Sequence, residues 1–103
     1  MKIIWSPTAV NRFSDIIDYI AQDSPLQAEK WANKVLDAVK KLKKFPTSGV
    51  IVPEMRIKNI REILFGNYRI IYEVKKQYIL ILTVRHCKRL LDEEEIIQSQ
   101  SDE

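Results

Sequence analysis

The apolar residues of this chain keep a helical spacing as far as Leu42, and beyond a stretch bounded by Pro46 and Pro53 β-rich runs take over. That change of period, from about 3.6 residues to about 2, commits the two halves to different secondary structure. At 103 residues, 46% apolar and 30% charged, the chain fits one compact domain, so both halves must share a core.

Lys2 to Trp5 is a short apolar run. Ser6-Pro7 follows as an N-cap with proline at the first helical position, where its missing N–H costs nothing. Ala9, Phe13, Ile16, Ile17 and Ile20 then recur at helical spacing, which predicts a strand leading into a helix from Pro7 to about Ala21. Ser24-Pro25, with Gln27 as a capping-box partner, starts a second helix. Its stripe is Ala28, Trp31, Val35, Ala38, Val39 and Leu42; Lys40, Lys41, Lys43 and Lys44 fall in its last turns, and Phe45-Pro46 ends it. With two or three residues between them, the helices pack as an antiparallel hairpin.

Pro46 to Pro53 reads as a loop. Ile57 to Phe65 and Tyr68 to Val74 flank Gly66-Asn67, a glycine-first pair suited to a two-residue β-hairpin turn, and Tyr78 to Val84 supplies a further strand after Lys75-Lys76-Gln77. The expected architecture is α+β: an N-terminal strand, then the helical hairpin packed on an antiparallel sheet, in the order β-α-α-β-β-β. Residues 1–91 form that domain, and 92–103 make an acidic C-terminal segment, partly helical or disordered, with a short helix over Asp92 to Gln98.

No Gly-rich phosphate loop, metal-ligand spacing or nucleophile triad is present, so neither a cofactor nor a metal is expected. Cys87, the single cysteine, has no disulfide partner within the chain and fits a reducing compartment. No apolar run approaches the ~18 residues a membrane span needs, and the start lacks a signal-peptide core, so the protein is expected in the cytoplasm and off the membrane. The net charge of +3 suits a polyanion or an acidic protein partner.

Chemistry must come from residues the sheet assembles. A two-residue turn at Gly66-Asn67 sets Leu64 opposite Arg69 and Glu62 opposite Ile71, so Glu62 and Arg69 become diagonal neighbours on one side. If the next loop takes residues 75 to 77, Arg69 faces Thr83 and lies diagonal to Arg85. The other side then carries Tyr68, Ile70, Tyr72, Val74, Leu80, Leu82 and Val84 against the helices. Glu62, Arg69 and Arg85, with His86 just beyond, would form a concave cationic patch with one carboxylate, able to take a phosphodiester or an acidic peptide. Each residue also has a plainer reading. Glu62 pairs across strands with Arg69 or Arg61, His86 is structural or solvated, Lys40 to Lys44 are a solvated helix end, and Trp5 and Trp31 pack in the core.

Ile60-Arg61-Glu62-Ile63, then Gly66-Asn67-Tyr68-Arg69-Ile70-Ile71-Tyr72, then Ile81-Leu82-Thr83-Val84-Arg85-His86 together resemble the C-terminal half of RelE/ParE toxins. Trp5-Ser6-Pro7 with Ala9, Tyr19-Ile20, Ala28, and Phe45-Pro46 with Gly49 fall where that family has similar residues, so the resemblance runs from Lys2 to Leu91. It implies the toxin of a type II toxin-antitoxin module, held inactive by an antitoxin protein and associated with growth inhibition and plasmid stabilization. RelE-like members cleave mRNA in the ribosome as metal-independent endoribonucleases, whereas ParE-like members inhibit DNA gyrase.

In the nuclease reading that the resemblance implies, Arg69 and Arg85 hold the phosphate, Glu62 or Glu54 is the base, and His86 protonates the leaving oxygen. The sequence departs from RelE: the strand before the arginine lacks its lysines, and no tyrosine follows Tyr78. The long helical hairpin and the Arg-Glu run before Gly-Asn-Tyr-Arg look closer to the ParE branch. On that reading Arg61, Arg69, Arg85, Lys88 and Arg89 contact the target, and Leu90, Leu91, Ile96 and Ile97 are the antitoxin dock. A third reading is a non-toxic relative that keeps only antitoxin binding.

Overall fold

A computed structural model of the chain describes residues 1–55, 59–88 and 93–101. Strand β1 (Lys2–Trp5) runs into Ser6, whose buried hydroxyl accepts from the Ala9 N–H at 3.0 Å and donates to the Leu82 carbonyl at 2.9 Å. One side chain therefore caps helix α1 (Pro7–Asp23) and ties it to the sheet. The helix continues two residues past the expected Ala21. Ser24 alone separates it from helix α2 (Pro25–Lys40), because the Ser24 N–H closes α1 on Ile20 while its hydroxyl accepts from the Gln27 N–H. A 3-10 turn, Lys41–Lys43, extends α2.

The expected loop from Pro46 to Pro53 contains a two-residue strand, β2 (Val50–Ile51), paired with β3 (Ile60–Phe65). Gly49 precedes it where a Cβ would come within 2.5 Å of both the Glu62 carbonyl and the Tyr72 hydroxyl. The expected start of β3, Ile57, lies outside the described residues. Strands β4 (Tyr68–Val74) and β5 (Tyr78–His86) follow, and helix α3 (Glu93–Ser101) ends the described chain. The sheet order is β1-β5-β4-β3-β2, antiparallel except for β1, which joins β5 in parallel. The α+β architecture expected from the sequence is the one observed.

Gly66 adopts φ 58° at the first position of the β3–β4 turn, and the register there is the expected one, with Leu64 opposite Arg69 and Glu62 opposite Ile71. The β4–β5 register differs. Lys75 N–H donates to the Tyr78 carbonyl, so the turn proper is Lys76-Gln77 and Val74 faces Ile79. An irregularity between Ile71 and Tyr72 then adds Leu82 to β5, and beyond it Arg69 faces Arg85 where Thr83 was expected. One shift turns every side chain over, and the second restores the original facing.

Consequently Leu80 and Leu82 do not face the helices. Ile70, Tyr72, Ile79, Ile81 and Val84 form the core with Ala9, Val35, Val39 and Leu42, joined by the partly buried Trp5, Phe13 and Trp31. Leu80 and Leu82 pack on the other side with Val52, Ile60, Ile71 and Ile96, the last from α3. Among the described residues no helix is long and apolar enough to cross a membrane.

Candidate functional site

The fixed register of the β3–β4 hairpin brings Glu62 and Arg69 together on the face away from the helical hairpin. Arg69 Nε and Nη2 donate to Glu62 Oε2 at 2.9 and 2.6 Å. Glu54, from the segment after β2, takes Nη1 at 2.7 Å and Nη2 at 2.8 Å. The Arg69 side chain is only 8% exposed, so it is held among carboxylates rather than presented to solvent. Hydrogen bonding to Glu54, and then to Glu62, holds the guanidinium pKa above its ordinary value against the opposing effect of burial.

Arg85 stands directly opposite Arg69 in the ladder, yet the two cations turn apart. Arg85 Nη1 pairs with Glu95 Oε2 of α3, and Arg12 Nε from α1 holds Glu95 Oε1 at 2.7 Å. Glu95 thus bridges two helices and the sheet. The expected cationic patch with one carboxylate is instead an ion-paired network, because Arg69 folds onto Glu62 of the neighbouring strand and Glu54 of the segment after β2, and Arg85 onto Glu95 of α3. Asn59 and Gln100 likewise donate to the buried Glu73, each at 2.8 Å, and fasten the end of α3.

His86 lies on the opposite side of the sheet. Opposite Tyr68 in the ladder, its ring meets the phenol edge-on with centroids 5.4 Å apart, closing a series of ring contacts from Trp5 through Phe13 and Trp31. Trp5 and Trp31 thus take the core-packing role of their plainer reading. Tyr68, His86, Arg85, Tyr19, Asp15 and Arg12 line a cleft of about 360 Å³ beside α1, and burial, followed by the neighbouring Tyr19, pushes the Tyr68 phenol up. A base at Glu62 and an acid at His86 therefore project from different faces. Among the described residues no three His, Cys, Asp or Glu side chains converge as a metal site would need.

The fold, the Arg-Glu pairing of the central hairpin and the helical pair in front of the sheet can be set beside known proteins. A family model described as the ParE toxin of type II toxin-antitoxin systems, parDE, matches residues 3–91. The chain belongs to the ParE toxin family. It is 30% identical over 90 residues to Toxin RelE2 of Caulobacter vibrioides, spanning 86% of this chain and 98% of that protein. It is 33% identical over 88 residues to the protein Y4kP of Sinorhizobium fredii, spanning 84% and 88%. The solved structure of the chromosomal ParDE TA system from P. aeruginosa has the same fold, with a TM-score of 0.71 over 85% of this chain and 97% of that one at 22% identity.

Within this ParE-family fold the remaining candidates are dispersed. Arg61 donates to the Thr47 and Gly49 carbonyls and braces the loop before β2. Lys88 is exposed, and its backbone N–H donates to His86 Nδ1. Ile96 is fully buried, Ile97 is 54% exposed, and Arg89, Leu90 and Leu91 lie outside the described residues. Glu95 is the participant that sequence reasoning missed. In a run of acids its side chain carries no local signal, and only the docking of α3 reveals its partners.

Proposed function

We propose that this chain is the toxin of an antitoxin-restrained pair, and that it arrests growth in the cytoplasm by binding DNA gyrase rather than by cutting RNA. The observation that carries this reading is the separation of Glu62 and His86 to opposite faces of the sheet, with Arg69 engaged by Glu54 and Glu62. In-line cleavage of RNA needs a base and an acid on either side of one phosphate, with a cation free to meet the developing charge. A toxin that works by occupying its target needs only a stable surface. Family membership and the ParDE assembly of the P. aeruginosa relative support an antitoxin as the restraining partner.

The test is induction of the chain in bacteria without antitoxin, with mRNA 5′ ends mapped and gyrase supercoiling assayed on the purified protein. Growth arrest with a DNA-damage response, inhibited supercoiling and unchanged 5′ ends is expected. Codon-positioned cuts that vanish in Arg69→Ala would replace this reading with a ribonuclease that depends on Arg69. Healthy growth would leave a chain that only binds antitoxin.

A further inference from the structure

The C-terminal end of α2 carries a cluster of charge that takes no part in the Arg69 network. Leu42, 1% exposed, plugs the 3-10 turn into the core, and around it Lys40, Lys41, Lys43 and Lys44 all stand exposed. Among the described residues none of these four ammonium groups is ion-paired with a carboxylate. The Met1 amino group donates to the Lys43 carbonyl, which sets the start of β1, with exposed Lys2, at the same end of the molecule. Cations at a helix C-terminus complement the dipole, so the lysines alone require no ligand.

Phe45 is what that explanation leaves over. It follows Lys44 directly and is 64% exposed, although an apolar ring gains by burial. Its loop is fixed on several sides. Phe45 N–H donates to the Lys41 carbonyl and Ser48 N–H to the Phe45 carbonyl, while the Tyr72 hydroxyl donates to Pro46 and accepts from the Gly49 N–H. The ring is thus held out by a braced turn that follows Lys43 and Lys44 directly in the chain. A flexible strand of phosphates with accessible bases matches both features at once, since lysines follow the backbone and an aromatic face stacks on a base of any sequence. Duplex DNA would use the lysines but offers no free base face, and a purely acidic chain such as polyglutamate gives the ring no apolar partner.

We propose that Lys40, Lys41, Lys43, Lys44 and Phe45 form a docking ridge for single-stranded nucleic acid, the lysines on successive phosphates and Phe45 stacked on a base. The ridge goes beyond the gyrase reading and does not rest on it. Titration of the purified full chain into a labelled short oligothymidylate, followed by fluorescence anisotropy, tests it without gyrase or ribosomes present. Four phosphate contacts give affinity that falls about 50-fold between about 50 and 200 mM salt. Lys43→Gln with Lys44→Gln should roughly halve the salt exponent. Phe45→Ala should weaken oligothymidylate at least about fivefold and leave a duplex of equal length unchanged. Melting curves matching the parent confirm that each variant is folded. Absence of binding at low salt would overturn the proposal, as would a Phe45→Ala variant that binds undiminished, or polyglutamate bound as tightly as the oligonucleotide.

Discussion

On the side of the sheet that faces the helical hairpin, Ile70, Ile79, Ile81 and Val84 meet Ala9, Val35 and Val39 in a layer of apolar atoms that also takes in the Tyr72 phenol, tied to the loop before β2, and the buried indole N–H of Trp31. The other side buries Ile71, Leu80, Leu82 and Ile96 but also Glu62, Arg69 and Glu73. The difference follows from what covers each face. Two long amphipathic helices supply enough apolar surface to close the first without charge. A two-residue strand and a short acidic helix cover the second; with them come Glu54 and Glu95, which join the sheet's own Glu62 in pairing with the strand arginines. Apolar burial is non-directional and stabilises strongly, whereas a buried ion pair contributes little net stability and fixes which groups may sit together.

The comparison is broken or upheld first at Ile81 and Leu82, adjacent residues that are both fully buried and belong to opposite faces. Ile81→Ala should cost about 4 kcal/mol in urea denaturation, and Leu82→Ala about 3, because the thinner layer around Leu82 can collapse further into the space left. Equal or reversed costs would show the second face to be packed as rigidly as the first. Arg69→Ala should come next, at about 3 kcal/mol, since it leaves Glu62 buried without the guanidinium. Replacing Arg69 by Met together with Glu62 by Leu should recover at least about half of that loss. If the paired replacement is no better than the single one, the ion pair itself stabilises the fold and the contrast drawn between the faces fails.

The same two faces explain what could be read ahead of the structure. Glu62 and Arg69 were foreseeable as neighbours because Gly66 closes a two-residue turn, and turn length alone then fixes the pairing. The helices were legible from Ser6, Ser24 and the two prolines that follow them, since caps act within one turn of the chain. Leu82 was not legible, because the irregularity that seats it is set by packing on both sides of β5. The side taken by His86, expected just beyond the patch, was not legible for a related reason. It follows Arg85 directly but projects to the other face, since consecutive strand residues point to opposite faces. Strand β2, with two exposed residues, offers no period to detect.

Tyr72 sharpens the contrast from the apolar side. Tyr72→Phe keeps the ring but leaves the Gly49 N–H and the Pro46 carbonyl without this partner, at a cost of about 2 kcal/mol by chemical denaturation. Burial raises the folded-state pKa of this phenol, so the fold prefers its protonated form. That contribution is fully present below about pH 10, the unfolded value, and is lost as pH rises through the folded one. The alkaline loss of stability should therefore be shallower in Tyr72→Phe than in the parent. An unchanged alkaline limb would assign the titration to other groups.

The smallest effect on stability belongs to the helix that closes the charged face. Ile96 is fully buried against Leu80 and Leu82, whereas its neighbour Ile97 is 54% exposed. Ile97→Ala should leave the melting temperature within the equivalent of about 0.5 kcal/mol, as a surface truncation does. If the exposed side of α3 is where the proposed antitoxin docks, the same change should weaken antitoxin affinity about fivefold, a readout that folding alone would not move. Affinity left intact by Ile97→Ala would mean that the antitoxin either docks elsewhere or reaches Ile96. Reaching Ile96 requires α3 to lift from the sheet and part Glu95 from Arg12 and Arg85, so Glu95→Gln would then be expected to strengthen binding.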